Sequence, residues 1–360
     1  MRIRFSHATR VFAGLTLVLV AGTIAQISRS RHPVQARESR RSPSATLRVV
    51  PALVPDPVDG EPVPYRLAAR RPIAVMIDNF TQARPQWGLS AASRVYEALT
   101  EGGITRYLAV FAEEDAGRIG PVRSARTQFL NYAVEMDAAL AHVGGNADAL
   151  ALIDQLRIKD LDQFRYSDAF RRIFAPHVAF EHTVFTSTEA LRAVIDQQAG
   201  EEDLSIVPEQ WKDDAPQAAR SAAQTVSIAF SFPEYAVKWV YRPATNDYTR
   251  QLGGASDKDA ATGQVLVAKS IAIAVVPRVH GRTVIGEDTW TFSDIGSGPA
   301  WVVQDGVTVA GTWSKQSRAG RLRFLDQAGR EIAFDRGPQW VEIVPPEATP
   351  IFSPATTPSH

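Results

Sequence analysis

The chain has 360 residues, enough for about two domains, and its apolar content of 45% and charged content of 22% are those of a globular protein. Basic and acidic residues balance at 39 each, but residues 1–48 hold nine arginines and one acid, so the rest of the chain is acidic. An acidic remainder argues against nucleic-acid binding, which usually needs a basic face. The absence of cysteine excludes disulfides, thiolate metal sites, a cysteine nucleophile and a lipidated N-terminal cysteine.

The N-terminus predicts attachment to the cell membrane. A short basic start precedes the uncharged run Val11–Ile27, and we expect residues 1–27 to form a single uncleaved signal anchor with the globular part outside the cytoplasm. Cleavage of a signal peptide followed by secretion is the alternative. Residues 28–70 are rich in proline and arginine, which is typical of an extended tether.

Residues 71–210 predict a layered α/β domain, because strand and helix patterns alternate along them. The strand patterns are PIAVMID, ITRYLAVFA, AALAHVGG and HTVFTS, and the helix patterns are SAASRVYEAL, SARTQFLNYAVEM, NADALALIDQL and STEALRAVIDQQ. Ser124 is the expected N-cap of the second helix, and Thr186 with Glu189 has capping-box spacing before the last. No glycine-rich nucleotide-binding motif and no GxSxG motif occurs.

Two arginines, Arg123 and Arg126, lie where the helix after RIGPV is expected to begin. The N-terminal end of a helix dipole disfavours cations, and Arg126 falls at the edge of the apolar face, where an unpaired guanidinium would be costly. One explanation is an anionic ligand held by the two arginines and the helix start. The other is an internal ion pair, for which the candidate carboxylates are Asp78, Glu97, Glu101 and Asp137.

Further polar residues lie where predicted strands end, which is where α/β folds build their sites. Two glycines after the third strand would let the backbone approach a ligand closely. The predicted ligand-binding residues are Arg123, Arg126, Asp78, Asn79, Arg84, His142, Gly144 and Gly145. No metal site and no cofactor is predicted, because His142, His177 and His182 have no zinc-binding spacing.

Residues 222–346 predict a mainly antiparallel β domain, since short alternating runs are separated by Gly, Asp and Pro. The tryptophans of this part alternate with aliphatic residues, which favours core packing over a sugar-binding surface. Asp257 and Asp259 are expected at a solvated hairpin tip. Residues 347–360 are expected to form a flexible tail. The fold class predicted for the whole chain is therefore α+β (mixed).

Four segments together resemble the YerB-like bacterial envelope proteins, a family defined by a domain of unknown function and a distinct C-terminal partner domain. They are residues 72–111, RIGPVRSARTQF, DAALAHVGGNADAL and HTVFTST, and the resemblance extends over about residues 65–345. Several family members are lipoproteins, whereas this chain has no cysteine and is expected to use the hydrophobic anchor. The resemblance implies a layered α/β fold and no established activity.

Three functions remain open. The first is a non-enzymatic envelope protein that binds an anionic cell-envelope ligand or a protein partner near Arg123 and Arg126. The second is a phosphoryl-transfer or hydrolytic enzyme acting on lipid-linked wall precursors. The third is a scaffold for cell-wall synthesis proteins. Missing catalytic motifs favour the first, and the expected partners are the membrane, through the N-terminal segment, and wall precursors or wall-synthesis proteins.

Overall fold

The computed structural model describes residues 53–198 and 204–353. The predicted signal anchor and most of the tether lie outside these residues. Within them, no helix combines the length and the apolar character needed to cross a membrane. The described residues form an α+β structure, mixed in the first half and mostly antiparallel in the second.

The α-helices of the described residues are α1 (Tyr65–Ala68), α2 (Thr127–Glu135), α3 (Ala147–Leu156) and α4 (Thr188–Gln197). The 3-10 helices there are Thr81–Ala83, Leu89–Ala91, Glu101–Gly103, Ser167–Ala169, Phe180–His182, Gln217–Ala219 and Pro233–Tyr235. The first-half strands are β1 (Val54–Pro55), β2 (Pro62–Val63), β3 (Ile73–Asp78), β4 (Arg94–Leu99), β5 (Thr105–Phe111), β6 (Ala139–His142), β7 (Asp160–Asp162), β8 (Arg171–Arg172) and β9 (Val184–Phe185).

The second-half strands follow in chain order. They are β10 (Trp211–Lys212), β11 (Thr225–Ala229), β12 (Ala236–Arg242), β13 (Asp247–Leu252), β14 (Ala255–Ser256), β15 (Val267–Ala268), β16 (Ser270–Val275), β17 (Arg278–Arg282), β18 (Asp288–Phe292), β19 (Gly296–Gln304), β20 (Val307–Lys315), β21 (Arg323–Asp326), β22 (Phe334–Asp335), β23 (Gln339–Val344) and β24 (Ile351–Ser353).

A ten-stranded sheet runs through both halves of the chain. Its order is β21-β20-β19-β16-β23-β4-β5-β3-β6-β7. At its centre β23 pairs in parallel with both β16 and β4, so a strand near the C-terminus joins the two halves. A second, antiparallel sheet has the order β14-β13-β12-β11-β24, with β15 beside β13. Because β24 pairs with β11, residues 351–353 belong to a sheet rather than to the predicted tail.

The core lies on both faces of the ten-stranded sheet, as the alternation of side chains along a strand requires. In β3, Ile73, Val75 and Ile77 join an apolar cluster with residues of the second sheet. Ala74 and Met76 face the other way and join a cluster with α2 and α3. Trp239, Trp313 and Trp340 are buried, as predicted, and Trp290 and Trp301 are partly buried.

The helix predicted over SAASRVYEAL is wrong, because most of this stretch forms strand β4. All six residues of β4 are buried between β23 and β5, with Val95 and Tyr96 packed into opposite clusters. A strand buried on both faces has no polar alternation to reveal it. Its Arg, Glu, Ala and Leu are good helix formers, and tertiary pairing overrides that preference.

Two local predictions also differ from the structure. Helix α4 is capped by Ser187, whose side chain accepts from the Ala190 amide, and not by Thr186. Asp257 and Asp259 are buried, and Asp259 accepts hydrogen bonds from the amides of Gly88 and Ser90, so this hairpin packs on the first half of the chain.

Residues 53–70, assigned from sequence to the tether, also belong to the folded structure. They form the β1–β2 hairpin and helix α1. Val58, Asp56 and Asp59 of the hairpin loop are buried.

Candidate functional site

The RIGPVRSAR segment is extended where the sequence predicted a helix start. Helix α2 begins only at Thr127, with Arg126 at the N-cap position, so Ser124 is not the cap. The amide of Arg123 donates to the Met76 carbonyl (2.8 Å), and the amide of Asp78 donates to the Pro121 carbonyl (2.9 Å). The segment therefore runs beside the end of β3 and places Arg123 next to Asp78.

Gly120 makes this approach possible. Its φ is +139°, in the region that favours glycine. A Cβ atom there would lie 2.8 Å from the Val122 amide nitrogen and 2.9 Å from the Val184 carbonyl oxygen. A larger residue would push the arginine segment away from β3 and β9.

Asp78 is the buried carboxylate of the site, with 2% of its surface exposed. Its Oδ2 atom accepts from Nδ1 of His182 at 2.5 Å and lies 3.1 Å from Nε of Arg123. Burial opposes ionisation of Asp78, but the hydrogen bond from His182 and the charges of Arg106 and Arg123 outweigh it and lower the pKa of the carboxyl group. Asp78 is therefore an anion at neutral pH.

Arg126 has an internal partner as well. Its Nε lies 2.9 Å from each carboxylate oxygen of Glu101, in the 3-10 helix that follows β4. Of the four carboxylates predicted as candidate partners for Arg126, the structure selects Glu101. Glu97 instead pairs with Arg250, and Asp137 pairs with Arg71. The side chains of Arg123 and Arg126 remain 26% and 17% exposed, so both reach solvent.

A third arginine, Arg106, lies beneath these two. It is opposite Asp78 in the β3–β5 pairing, is 6% exposed, and donates from Nη1 to the Ser124 carbonyl at 2.7 Å. Its Nε atom is buried and has no hydrogen-bond partner among the described residues. Burial and the charges of Arg126 and Arg123 lower the pKa of Arg106 to about 9, although Asp78 and Glu101 oppose this.

We call Arg106, Arg123 and Arg126 with Asp78 and Glu101 the arginine cluster. It sets three guanidinium groups against two carboxylates, and His182 shares Asp78 with Arg123. Burial is the main cause of the lowered pKa of Arg106, and the neighbouring cations Arg126 and Arg123 lower it further. The cluster therefore carries excess positive charge at a partly exposed surface.

Asn79 and Arg84 lie beside the arginine cluster. The Oδ1 atom of Asn79 accepts from Nε of Arg84 (3.0 Å) and from Nε2 of Gln86 (2.8 Å). Arg84 also donates to the Glu234 carbonyl (2.7 Å) and lies over the ring of Tyr235. These acceptors are neutral, so Arg84 links the loop after β3 to the second half of the chain while its charge remains uncompensated by them.

His142 turns away from the cluster. It is fully buried, with Nε2 2.8 Å from Oδ1 of Asp160 and Nδ1 2.7 Å from the Gly144 carbonyl oxygen. Gly144 and Gly145 border the arginine segment only through backbone contacts with Ala125. The structure thus brings Asp78, Asn79, Arg84, Arg123 and Arg126 together and separates His142 from them.

Aromatic rings lie near the cluster, one of them partly buried and two of them exposed. Phe80 stacks on His182 with ring centroids 5.1 Å apart, and Phe180 and Phe174 are 61% and 68% exposed and 6.2 Å from each other. Arg123 donates to the carbonyl of Glu181, in the same 3-10 helix as Phe180 and His182. A ligand at the cluster would meet positive charge and apolar surface side by side.

Sequence reasoning did not include Arg106, Glu101 or His182 among the ligand-binding residues. Arg106 carries the clearest signal, because the five residues that follow it in the strand form the mostly apolar run YLAVF, and a buried arginine requires compensation. Glu101 was named as a candidate ion-pair partner and, with Arg106, as a polar residue near a strand end. His182 follows an irregular stretch, and only the tertiary structure brings it to Asp78.

Comparison with known proteins places the fold. Residues 59–202 match "Protein of unknown function (DUF3048) N-terminal domain", and residues 226–341 match the corresponding C-terminal domain. The chain belongs to this family. It is 29% identical over 293 residues to "Putative lipoprotein YerB" of Bacillus subtilis (strain 168), covering 80% of this chain and 86% of that protein.

A solved structure shares the fold of the YerB-like chain. The crystal structure of the YerB protein from Bacillus subtilis superposes with a TM-score of 0.72 at 24% identity, over 82% of this chain and 98% of the other. The predicted family resemblance and fold class are thereby confirmed.

Proposed function

We propose that this protein is a membrane-anchored, extracytoplasmic envelope protein whose arginine cluster binds an anionic group, a phosphate or carboxylate, of an envelope ligand, without catalysing a reaction. Its relative's description as a lipoprotein and the apolar N-terminal run support the location. The surplus of guanidinium groups over carboxylates carries the binding proposal. An anion would complete the compensation and would meet the forked donors that favour phosphate and carboxylate.

The internal ion pairs set the limits of this proposal. Asp78 and Glu101 already neutralise two positive charges, so the proposed ligand pairs with the remaining charge and does not replace either carboxylate. The exposed rings of Phe174 and Phe180 favour a ligand in which an apolar group adjoins the anion, as in a lipid phosphate.

The test is thermal unfolding of the purified full chain in phosphate, pyrophosphate and a short-chain polyprenyl phosphate, with chloride at matched ionic strength as the baseline. A ligand that binds the folded state raises the melting temperature. At 100 times its Kd it adds about 2.7 kcal/mol to the free energy of unfolding. We expect Arg126→Gln to need an at least about tenfold higher concentration of each active anion for the same rise in melting temperature, since the substitution removes a charge-assisted donor.

Arg242→Gln is the matched control. Arg242 also pairs with one carboxylate, through Nε and Nη2, each 2.6 Å from an oxygen of Asp247, but it lies on β12, outside the arginine cluster. Its removal should leave the anion response unchanged. If no anion raises the melting temperature, or Arg126→Gln responds as the wild type does, the arginines serve only internal pairing and protein partners become the next candidates.

A hydrolytic or phosphoryl-transfer function is the second candidate, and the Asp78–His182 pair favours it. A carboxylate that fixes Nδ1 of a histidine leaves Nε2 for proton transfer, and arginines beside such a pair could stabilise phosphoryl charge. Release of product from lipid-linked pyrophosphates or phosphate esters, abolished by His182→Gln while anion binding persists, would support it. Absence of turnover over the same panel would leave binding alone.

A further inference from the structure

A second polar cluster lies away from the arginine cluster, in the loop of the β1–β2 hairpin. Oδ1 of Asp56 accepts from the Val58 amide at 2.8 Å, and Oδ1 of Asp59 accepts from the Glu61 amide at 3.0 Å. Each aspartate thus uses one oxygen to shape the loop. Both side chains are directed inward, with Asp56 1% and Asp59 0% exposed.

The second oxygen of each aspartate is buried without a partner. Among the described residues, Oδ2 of Asp56 and Oδ2 of Asp59 have no hydrogen-bond donor. Buried carboxylate oxygens without a partner are rare and costly in native proteins. This observation is independent of the grouping of acids, and it indicates that a donor or cation belongs here.

Glu113, which follows β5, completes the group. One oxygen from each of Asp56, Asp59 and Glu113 lies within 4.8 Å of the others. Oε2 of Glu113 also accepts from the hydroxyl of Ser93 at 2.7 Å. None of the three carboxylates forms an ion pair with a basic side chain of the described residues.

The surrounding charges do not compensate the group. Arg70 is the nearby cation, and it donates to Asp115 and to the carbonyls of Ala112 and Glu113. Glu61 and Glu114 add further negative charge around Glu113.

We propose that Asp56, Asp59 and Glu113 bind a hard divalent cation, with Ca²⁺ as the expected ion. Carboxylate oxygens are the ligands such ions prefer, and oxygens on opposite sides of a Ca²⁺ ion lie about 4.6–5.2 Å apart at its usual bond lengths. An adjoining cavity of about 290 Å³, lined by Glu61, Ser93, Glu113 and Glu114 among others, provides room for the water ligands that the site needs.

Such an ion would fasten the β1–β2 hairpin to the large sheet. The Val58 carbonyl accepts from Nη2 of Arg94 on β4 (2.9 Å), and the Asp59 carbonyl accepts from the Gly337 amide (3.0 Å). Asp56 and Asp59 lie in the loop of the β1–β2 hairpin, whereas Glu113 follows β5. The cation would therefore cross-link this hairpin to the ten-stranded sheet.

Calcium and terbium binding to the purified full chain tests this inference. We expect Ca²⁺ to raise the melting temperature over that in EDTA, and more than Mg²⁺ does, because Mg²⁺ demands stricter octahedral geometry. Tb³⁺ should give luminescence sensitised by Trp211, whose ring packs against Gly60 of the same loop, and excess Ca²⁺ should quench it.

Asp59→Asn is the decisive variant, since asparagine can keep the bond to the Glu61 amide but removes a charge. It should weaken Ca²⁺ and Tb³⁺ binding at least about tenfold while remaining as stable as the wild type in EDTA. Asp294→Asn, at another buried aspartate that accepts from Asn131 (2.8 Å), should leave ion binding unchanged. Absence of ion binding at millimolar concentration, or equal binding by Asp59→Asn and wild type, would overturn the inference.

Discussion

The positive charge of a buried arginine is compensated differently at Arg250 and in the arginine cluster. Arg250 is fully buried between the two sheets and pairs with both Glu97 and Asp257, while its guanidinium lies 4.4 Å from the ring centroid of Trp340. Arg106, in the arginine cluster, is nearly as buried but donates to a backbone carbonyl and lies beside two other arginines. Arg250 is one cation between two carboxylates, whereas the cluster that contains Arg106 has three arginines and two carboxylates.

The pKa values show the consequence of this difference. Burial disfavours the charge on Arg250, but Glu97 and Asp257 raise its pKa well above the ordinary value. The pKa of Arg106 falls to about 9. Compensation by carboxylates therefore makes Arg250 a structural element, whereas the surplus charge around Arg106 leaves the arginine cluster suited to an external anion.

The largest effect is expected from removing Arg250, whose charge is compensated by two carboxylates. Arg250→Leu leaves Glu97 and Asp257 buried without their cation, so it should lower the free energy of unfolding by about 3–5 kcal/mol. Urea denaturation measures this. Adding Glu97→Gln and Asp257→Asn to Arg250→Leu should recover part of the loss, and a single variant as stable as the wild type would show that Arg250 is not essential to the core.

A smaller, pH-dependent effect comes from Glu342, beside the same network. Burial and the carboxylate of Glu97 raise the pKa of Glu342 from 4.5 to about 8. A group with a raised folded pKa contributes stability that is complete below pH 4.5 and is lost as the pH rises through about 8. Wild type should therefore lose stability, by a few kcal/mol at most, across this window relative to Glu342→Gln, which does not titrate there.

Chemical denaturation at several pH values checks this prediction. The amide oxygen introduced by Glu342→Gln would still accept from Nε1 of Trp239, which lies 2.8 Å from Oε1 of Glu342 in the wild type. Glu347→Gln, at a 65% exposed glutamate, is the control and should keep the wild-type pH dependence. Parallel pH profiles for wild type and Glu342→Gln would contradict the prediction.

The smallest effect is expected from removing Arg106, which lies beside two other arginines. Arg106→Gln removes a buried cation from among other cations, so relief of repulsion and desolvation should offset the lost bond to the Ser124 carbonyl. We expect a change in the free energy of unfolding of less than about 1 kcal/mol. A loss as large as that of Arg250→Leu would mean that Arg106 is structurally compensated and would weaken the proposed anion site.

Much of the fold could be predicted from residue patterns that act locally. PIAVMID and ITRYLAVFA are short apolar runs bounded by polar residues, and both form strands near the predicted positions. The periodicity of residues 188–197 correctly predicts α4. The helix prediction for RVYEAL was wrong because the burial of this segment depends on its pairing with β23, about 240 residues later in the chain. Local preference carries no information about that pairing.

The sequence alone determined the family, the fold class and the strand that ends at Asp78. Only the tertiary structure decided which carboxylate meets which arginine, giving Glu101 to Arg126 and Glu97 to Arg250. It also brought His182 to Asp78 and Glu113 to Asp56 and Asp59. The reason is physical: electrostatic compensation depends on distances across the folded chain, and residues far apart in sequence supply it.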